Sequence, residues 1–429
     1  MFTKVFIFVS LFFVNISFAA LKIDSWTTKE GMKVFFVENH DLPMLDLEVN
    51  FRAGSAYDQS SRSGLASMTN HMLFLGSDGI TEEEIVNQFA ILGAETGSDF
   101  DSDKSSFSLR TLSEKKDEAF KLFKTVIHKP NFDQEILERE KQRYISSLKQ
   151  SDTQPDSIGS KAFMKALYSD HPYGLPNDGD VESIALIEKS MLKNFYNDFY
   201  SANGSSMVMV GDISKEDAMK FSSEISQGLP SNGKNSQLPK VNKPKVTELS
   251  IPHPSSQAHL FYGFPSIKRG DNDFFPLYVG NYILGGGGFV SRLTGEVREK
   301  KGYVYSVYSY FMPMQESGPF QIGLQTKKEQ IGPAFDLVKK TVKDFITHGP
   351  TEKELKAAKD NMIGGFPMRI DSNKKILSYL SMMAFYDYPL DYLETFSDKV
   401  NSVTREEIME AFQRRVKMDE FSYVIVGAS

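Results

Sequence analysis

The chain has 429 residues, 40% of them hydrophobic and 24% charged, with a formal net charge of −7 and no cysteine. That is ordinary globular composition, and the length accommodates two domains of about 100–200 residues. No stripe of Lys and Arg marks a nucleic-acid footprint, and the missing thiols exclude a disulfide framework, a thiolate metal site and lipid attachment through cysteine.

At the N-terminus, residues 1–4 carry one positive charge, residues 5–13 are almost wholly apolar and Ser17-Phe18-Ala19 is a small-x-small site. This is the pattern of a signal peptide cut after Ala19 or Ala20, which predicts a periplasmic or secreted mature chain. The apolar run is shorter than the about 20 residues a spanning helix needs, so no membrane association is expected after cleavage. Residues 33–39 read as a strand entering a turn, and 44–52 alternate apolar and polar as a half-buried strand does. Residues 63–75 read as a helix with Leu65, Met68, Met72 and Leu73 on one face. A helix over 82–92, closed by Gly93, a strand over 105–111, helices over 115–127, 133–150 and 191–200, and a strand over 206–210 follow. In 228–245 Pro, Gly, Asn, Ser and Lys replace any apolar period, which marks a linker.

The second half echoes the first. SSFSLRTL leads into a helix with Ala119, Phe120 and Leu122, and PFQIGLQT leads at the same offset into one with Ala334, Phe335 and Leu337. Each helix is followed by a His, a Pro and an acidic helix, so duplicated domains are expected.

From Gly64 the first helix reads GLASMTNHMLFLGS. It resembles the insulinase/pitrilysin family of zinc metallopeptidases, the inverted zincins, which carry H-x-x-E-H in a context like G-L-A-H-x-x-E-H-M-x-F-x-G. There the two His share one Zn²⁺, the Glu is the general base, and a later helix supplies a third Glu ligand. The resemblance places Ser67 at the first His and Asn70 at the base, and retains only His71. In ILEREKQRYISSLK the third-ligand position falls at Ser147, with Leu148 the next alignment. One His and two hydroxyls do not make a three-ligand zinc site, and a neutral amide cannot take a proton from water. No cofactor is therefore expected in this chain. The other histidines (40, 128, 171, 253, 259 and 348) form no i, i+3 or i+4 pair, and His171, in a DHPYG loop similar to the family's, reads as structural. GMKVFFVENHDLPMLDLEVNFRAGSAYD and FYNDFYSANGSSMVMVGD extend the resemblance, which fits the two-domain bacterial branch similar to mitochondrial processing peptidase.

In the second half, LGGGGFVSRLTGEVREKKGYVYSVYSYF resembles the family's C-terminal motif, whose Arg and Tyr point into the active chamber. Here they are Arg298 and Tyr305. Residues 289–300 read as a helix with Phe289, Leu293 and Val297 on one face, Gly302 as its stop, and 303–311 as a strand. The resemblance implies that the pair positions substrate and stabilises an oxyanion; on their own, Arg298 reads as one solvated charge of several and Tyr305 as strand packing. Gly285, Gly286, Gly287 and Gly288 lack the pattern of a phosphate loop and read as a flexible turn. The resemblance implies that this turn contacts peptide.

The expected architecture is α+β: a signal peptide at 1–20, an N-terminal peptidase-like domain at 21–227, a linker at 228–245 and a homologous C-terminal domain at 246–429. Each domain is expected to be an antiparallel sheet with helices mainly on one face, the two forming a half-clamshell. The function implied is that of a non-catalytic subunit of a heterodimeric zinc metallopeptidase. A homologous partner chain would bring the zinc, this chain would bring Arg298 and Tyr305, and unfolded peptides would be the substrates. The alternative is a structural or peptide-binding protein with no part in hydrolysis.

Overall fold

The computed structural model describes residues 21–427 except 232, 235, 236 and 244, so the signal-peptide segment lies outside the described residues. The N-terminal lobe holds β1 (Asp24–Thr27), β2 (Lys33–Glu38), β3 (Met44–Phe51), α1 (Leu65–Met72), α2 (Glu82–Ile91), β4 (Glu95–Phe100), β5 (Ser105–Leu112), α3 (Lys116–His128), α4 (Gln134–Ser151), α5 (Pro155–Tyr168), α6 (Val181–Ala185), α7 (Lys189–Phe199), β6 (Ser206–Gly211) and α8 (Lys215–Gln227). The C-terminal lobe holds β7 (Glu248–Ile251), β8 (Gln257–Pro265), α9 (Phe274–Asn281), β9 (Val304–Phe311), β10 (Pro319–Lys327), α10 (Ile331–His348), α11 (Glu352–Gly365), α12 (Asn373–Phe385), α13 (Tyr392–Ser402), α14 (Arg405–Arg415) and β11 (Ser422–Val426).

The first sheet has the order β1-β2-β6-β3-β5-β4 and the second β7-β11-β8-β10-β9. Without β1 the two orders are the same: first strand, last strand, second, fourth, third. In each sheet the first and last strands, β2 with β6 and β7 with β11, run parallel, and every other pair is antiparallel. The echoed segments are β5 and β10, which occupy equivalent places. The fold is α+β with two sheets of like topology.

Each sheet borrows a helix from the other lobe. α5 packs on β8 and β11, and α12 packs on β3 and β6. At Gly159 of α5 an added Cβ would lie 2.2 Å from the Phe261 ring on β8, so only glycine admits this approach. One apolar cluster joins Phe35, Val37, Val208 and Val210 of the first sheet to Leu377, Leu380 and Ala384 of α12.

Local signals explain most boundaries. Thr81 with Glu84 and Thr351 with Glu354 form capping boxes that start α2 and α11. α1 begins only at Leu65, because Gly64 sits at φ 86°, outside helical space. The helix expected over 289–300 is corrected. Residues 288–290 make a short tight turn, Ser291 is extended (ψ 153°), and a wide helical turn follows at Thr294–Glu299. Ser291 Oγ accepts from Thr294 N at 3.4 Å, so the helical stretch starts after it. Leu293 and Val297 are buried as expected, but Phe289 is 69% exposed.

Candidate functional site

α1 is anchored at its start by Asp58, which accepts from Gly64 N at 2.8 Å and from Ala66 N at 2.9 Å. Burial pushes the Asp58 carboxyl up to about 8, against the pull of those two bonds. One turn on, Ser67 Oγ donates to Asp178 Oδ1 at 3.1 Å and lies 3.4 Å from the Tyr144 hydroxyl. Asn70 is 5% exposed, and its amide faces the sheet. Asn70 Nδ2 donates to Ser105 Oγ at 2.6 Å and to Asp99 O at 3.3 Å, tying α1 to both strands of the β4–β5 hairpin.

His71 Nε2 lies 2.9 Å from Glu140 Oε2 on α4. The Glu140 side chain is nearly fully buried, and its Oε1 accepts from Arg139 Nε at 2.7 Å and Arg143 Nη1 at 3.1 Å. Desolvation works to raise the Glu140 pKa, but the bonds from His71, Arg139 and Arg143 together outweigh it and hold the carboxyl at about 2. Ser147 follows Glu140 by two turns of α4, and the two border one cleft of about 760 Å³ with His71, Tyr144, Lys161 and Asp178. Ser67 lies behind this cleft, bonded to two of its lining residues.

These residues do not fit a catalytic zinc. Both Glu140 oxygens are already taken by positively charged or imidazole donors, Ser67 and Ser147 offer only hydroxyls, and Asn70 points away. Among the described residues no three His, Cys, Asp or Glu side chains converge on a point where a metal could sit.

The fold therefore gathers Ser67, His71 and Ser147 around one cleft and leaves Asn70 outside it. Glu140 and Asp178 escaped the sequence reading. Glu140 carried a signal, standing seven residues before Ser147 on the same helix face. Asp178, in a loop after α5, carried none.

Arg298 and Tyr305 belong to the other lobe and do not border this cleft. Arg298 is exposed, its guanidinium 4.9 Å from the Phe289 ring centre. Tyr305 is 52% exposed on β9, an edge strand. The segment before Arg298 is braced by Arg292, whose Nε and Nη2 each reach Glu354 at 2.7 Å. Gly285 packs against β9, where a Cβ would lie 2.3 Å from Ser309 Oγ. Gly285, Gly286 and Gly288 border a second cleft of about 470 Å³ lined by Tyr278, Tyr282, Tyr308, Tyr310 and Arg369; Gly287 is not among its lining residues.

Two family models match this chain: insulinase (peptidase family M16) over residues 33–179 and peptidase M16 inactive domain over 187–362. The chain belongs to the M16, or insulinase, family. This M16 chain is 38% identical to a solved peptidase M16 inactive domain protein from Pseudomonas fluorescens, with a TM-score of 0.92 over 95% of this chain and 98% of that one. It is 29% identical to the non-peptidase homologue YmxG of Helicobacter pylori, covering 92% of this chain and 91% of the relative. It is 24% identical to a Bacillus subtilis protein named as an uncharacterized zinc protease, YmxG, over 95% and 98% of the two chains. The sequence resemblance puts Ser67, Asn70 and Ser147 at the family's ligand and base positions, and among the described residues no three His, Cys, Asp or Glu side chains gather to hold a metal there.

Proposed function

We propose that this M16 chain is the non-catalytic half of a two-chain, exported zinc peptidase. A homologous partner supplies the metal, and this chain presents Arg298 and Tyr305 to a peptide held between the two. One contrast carries the reading: the N-terminal lobe has lost its ligand set, while the C-terminal lobe holds an Arg and a Tyr whose charged and phenolic donors are uncommitted. Neither Arg298 nor Tyr305 has an ion-pair or side-chain hydrogen-bond partner among the described residues, although the segment leading to Arg298 is braced by Arg292 and Glu354. Polar tips left free on a braced support are available to another molecule. A guanidinium and a phenol can both donate to a carbonyl oxygen as it gains charge, and losing one such donor costs about 100-fold or more in turnover.

The test is reconstitution with a family relative that keeps H-x-x-E-H. The mixture is expected to cleave unfolded peptides, and this chain alone to cleave none. Arg298→Ala and Tyr305→Phe should lower turnover while leaving assembly intact. If both variants assemble and cleave at the parent rate, the pair has no catalytic part.

A second reading, a peptide-binding protein with no role in hydrolysis, is favoured by the tyrosine-lined cleft beside Gly285 and Gly286. It predicts peptide binding by this chain alone, weakened by Tyr308→Ala, and no gain in cleavage when the relative is added.

A further inference from the structure

A buried carboxylate stands where the two lobes meet. Asp103, at the tip of the β4–β5 hairpin, is 1% exposed and has no ion-pair partner among the described residues. Its Oδ1 accepts the Tyr173 hydroxyl at 2.6 Å, and its Oδ2 accepts the Tyr386 hydroxyl at 2.8 Å and Gln315 N at 2.7 Å. Tyr173 is in the DHPYG loop of the N-terminal lobe. Tyr386, just after α12, and Gln315, in the β9–β10 turn, belong to the C-terminal lobe. The Tyr173 hydroxyl also accepts Glu316 N at 3.1 Å. Burial, joined by the Asp103 charge, pushes both phenols far above their ordinary pKa, so both remain donors.

Neighbouring bonds reinforce the same seam. Arg52 Nη1 donates to Gln315 Oε1 at 2.9 Å, and the Tyr168 hydroxyl donates to Ser317 O at 3.0 Å. His171 Nε2 lies 2.8 Å from Pro239 O in the segment connecting the lobes. The hairpin tip is itself held, because Asp101 Oδ1 accepts from Asp103 N at 2.7 Å and Lys104 N at 2.8 Å.

We propose that Asp103 is the positioning residue that sets the angle between the lobes, and that the DHPYG loop of this chain is its clasp. The apolar contacts of α5 and α12 hold the lobes together, but burial is non-directional and tolerates small slides. Hydrogen bonds to one carboxylate are directional and short-ranged. A buried charge left without its donors is strongly unfavourable, so the three donors from two lobes define one geometry. The consequence is that the surface carrying Arg298 and Tyr305 stands in a fixed relation to the His71 cleft before any partner arrives.

The chain has no cysteine, so labelled pairs can be introduced cleanly. Glu83→Cys on α2 and Lys356→Cys on α11 put one exposed spin label on each lobe. Double electron–electron resonance is expected to give a single narrow distance in the parent. Tyr386→Phe removes one cross-lobe hydroxyl and keeps the ring; it should lose that single narrow peak while far-UV circular dichroism stays unchanged. Asp103→Ala should broaden the distribution further. An unchanged narrow peak in Tyr386→Phe and Asp103→Ala overturns the proposal. Should Asp103→Ala fail to fold, Tyr386→Phe decides alone by the same criterion.

Discussion

Asn70→Glu puts a carboxylate where the sequence resemblance places the family's general base, and here it is expected to damage the protein without reviving it. The Asn70 amide is buried and donates two bonds into the β4–β5 hairpin, at 2.6 and 3.3 Å. A glutamate keeps neither donor. It faces the Asp99 carbonyl with an acceptor and adds a methylene to a filled position. Leaving buried groups unsatisfied costs about 1–3 kcal/mol, and overpacking costs about 1–3 kcal/mol more. Against a total stability of about 5–15 kcal/mol, a loss of about 2–6 kcal/mol is large. The measurement is urea unfolding at neutral pH, with zinc content read in parallel. The midpoint should fall clearly, and no zinc should be retained, because Ser67 and Ser147 still offer no ligands. Asn70→Asp separates charge from size: it holds the volume, loses the donors and should show the smaller part of the loss. If Asn70→Glu unfolds at the parent midpoint, the Asn70 amide does not tie α1 to the β4–β5 hairpin.

Glu354 and Asp58 should give opposite pH dependences. For Glu354, burial raises the pKa, but the Arg292 pair and the Thr351 N–H and hydroxyl outweigh it and lower the value from 4.5 to about 2. The stability this shift carries, reduced by solvent screening of the partly exposed pair, is fully present above 4.5 and lost as pH falls through about 2. Glu354→Gln should flatten the acid limb of the thermal-stability curve; an acid limb like the parent's refutes the assignment. Asp58 is raised from 3.8 to about 8, so the folded state holds its proton longer and stability declines as pH rises across that window. Asp58→Asn should remove that decline, and a slope unchanged in the variant counts against it. Gly159→Ala drives a Cβ to 2.2 Å from the Phe261 ring and should cost about 1–3 kcal/mol by thermal melt; a neutral effect would mean that α5 does not seat on β8 as described.

Much of this molecule is local and therefore legible in the chain. Alternation and helical period mark β3, β5, α1 and α3, because a strand or amphipathic helix repeats its apolar residues at its own spacing. The like topology of the two sheets was visible in two short echoes, and the departure from the H-x-x-E-H pattern was visible at single positions, since Ser67, Asn70 and Ser147, where the resemblance puts ligands and base, cannot do a ligand's or a base's work wherever they point. The start of the Arg298 segment was also within reach, because Ser291 is a good capping residue that separates Phe289 from the helical turn. What only the tertiary structure decided is which distant groups meet. Glu140 and Asp178 reach the cleft, Asn70 turns toward the β4–β5 hairpin, α5 and α12 exchange lobes, and Asp103 collects donors from both halves. Such meetings follow from how packed elements fall against one another across long sequence separations, and no local period encodes that.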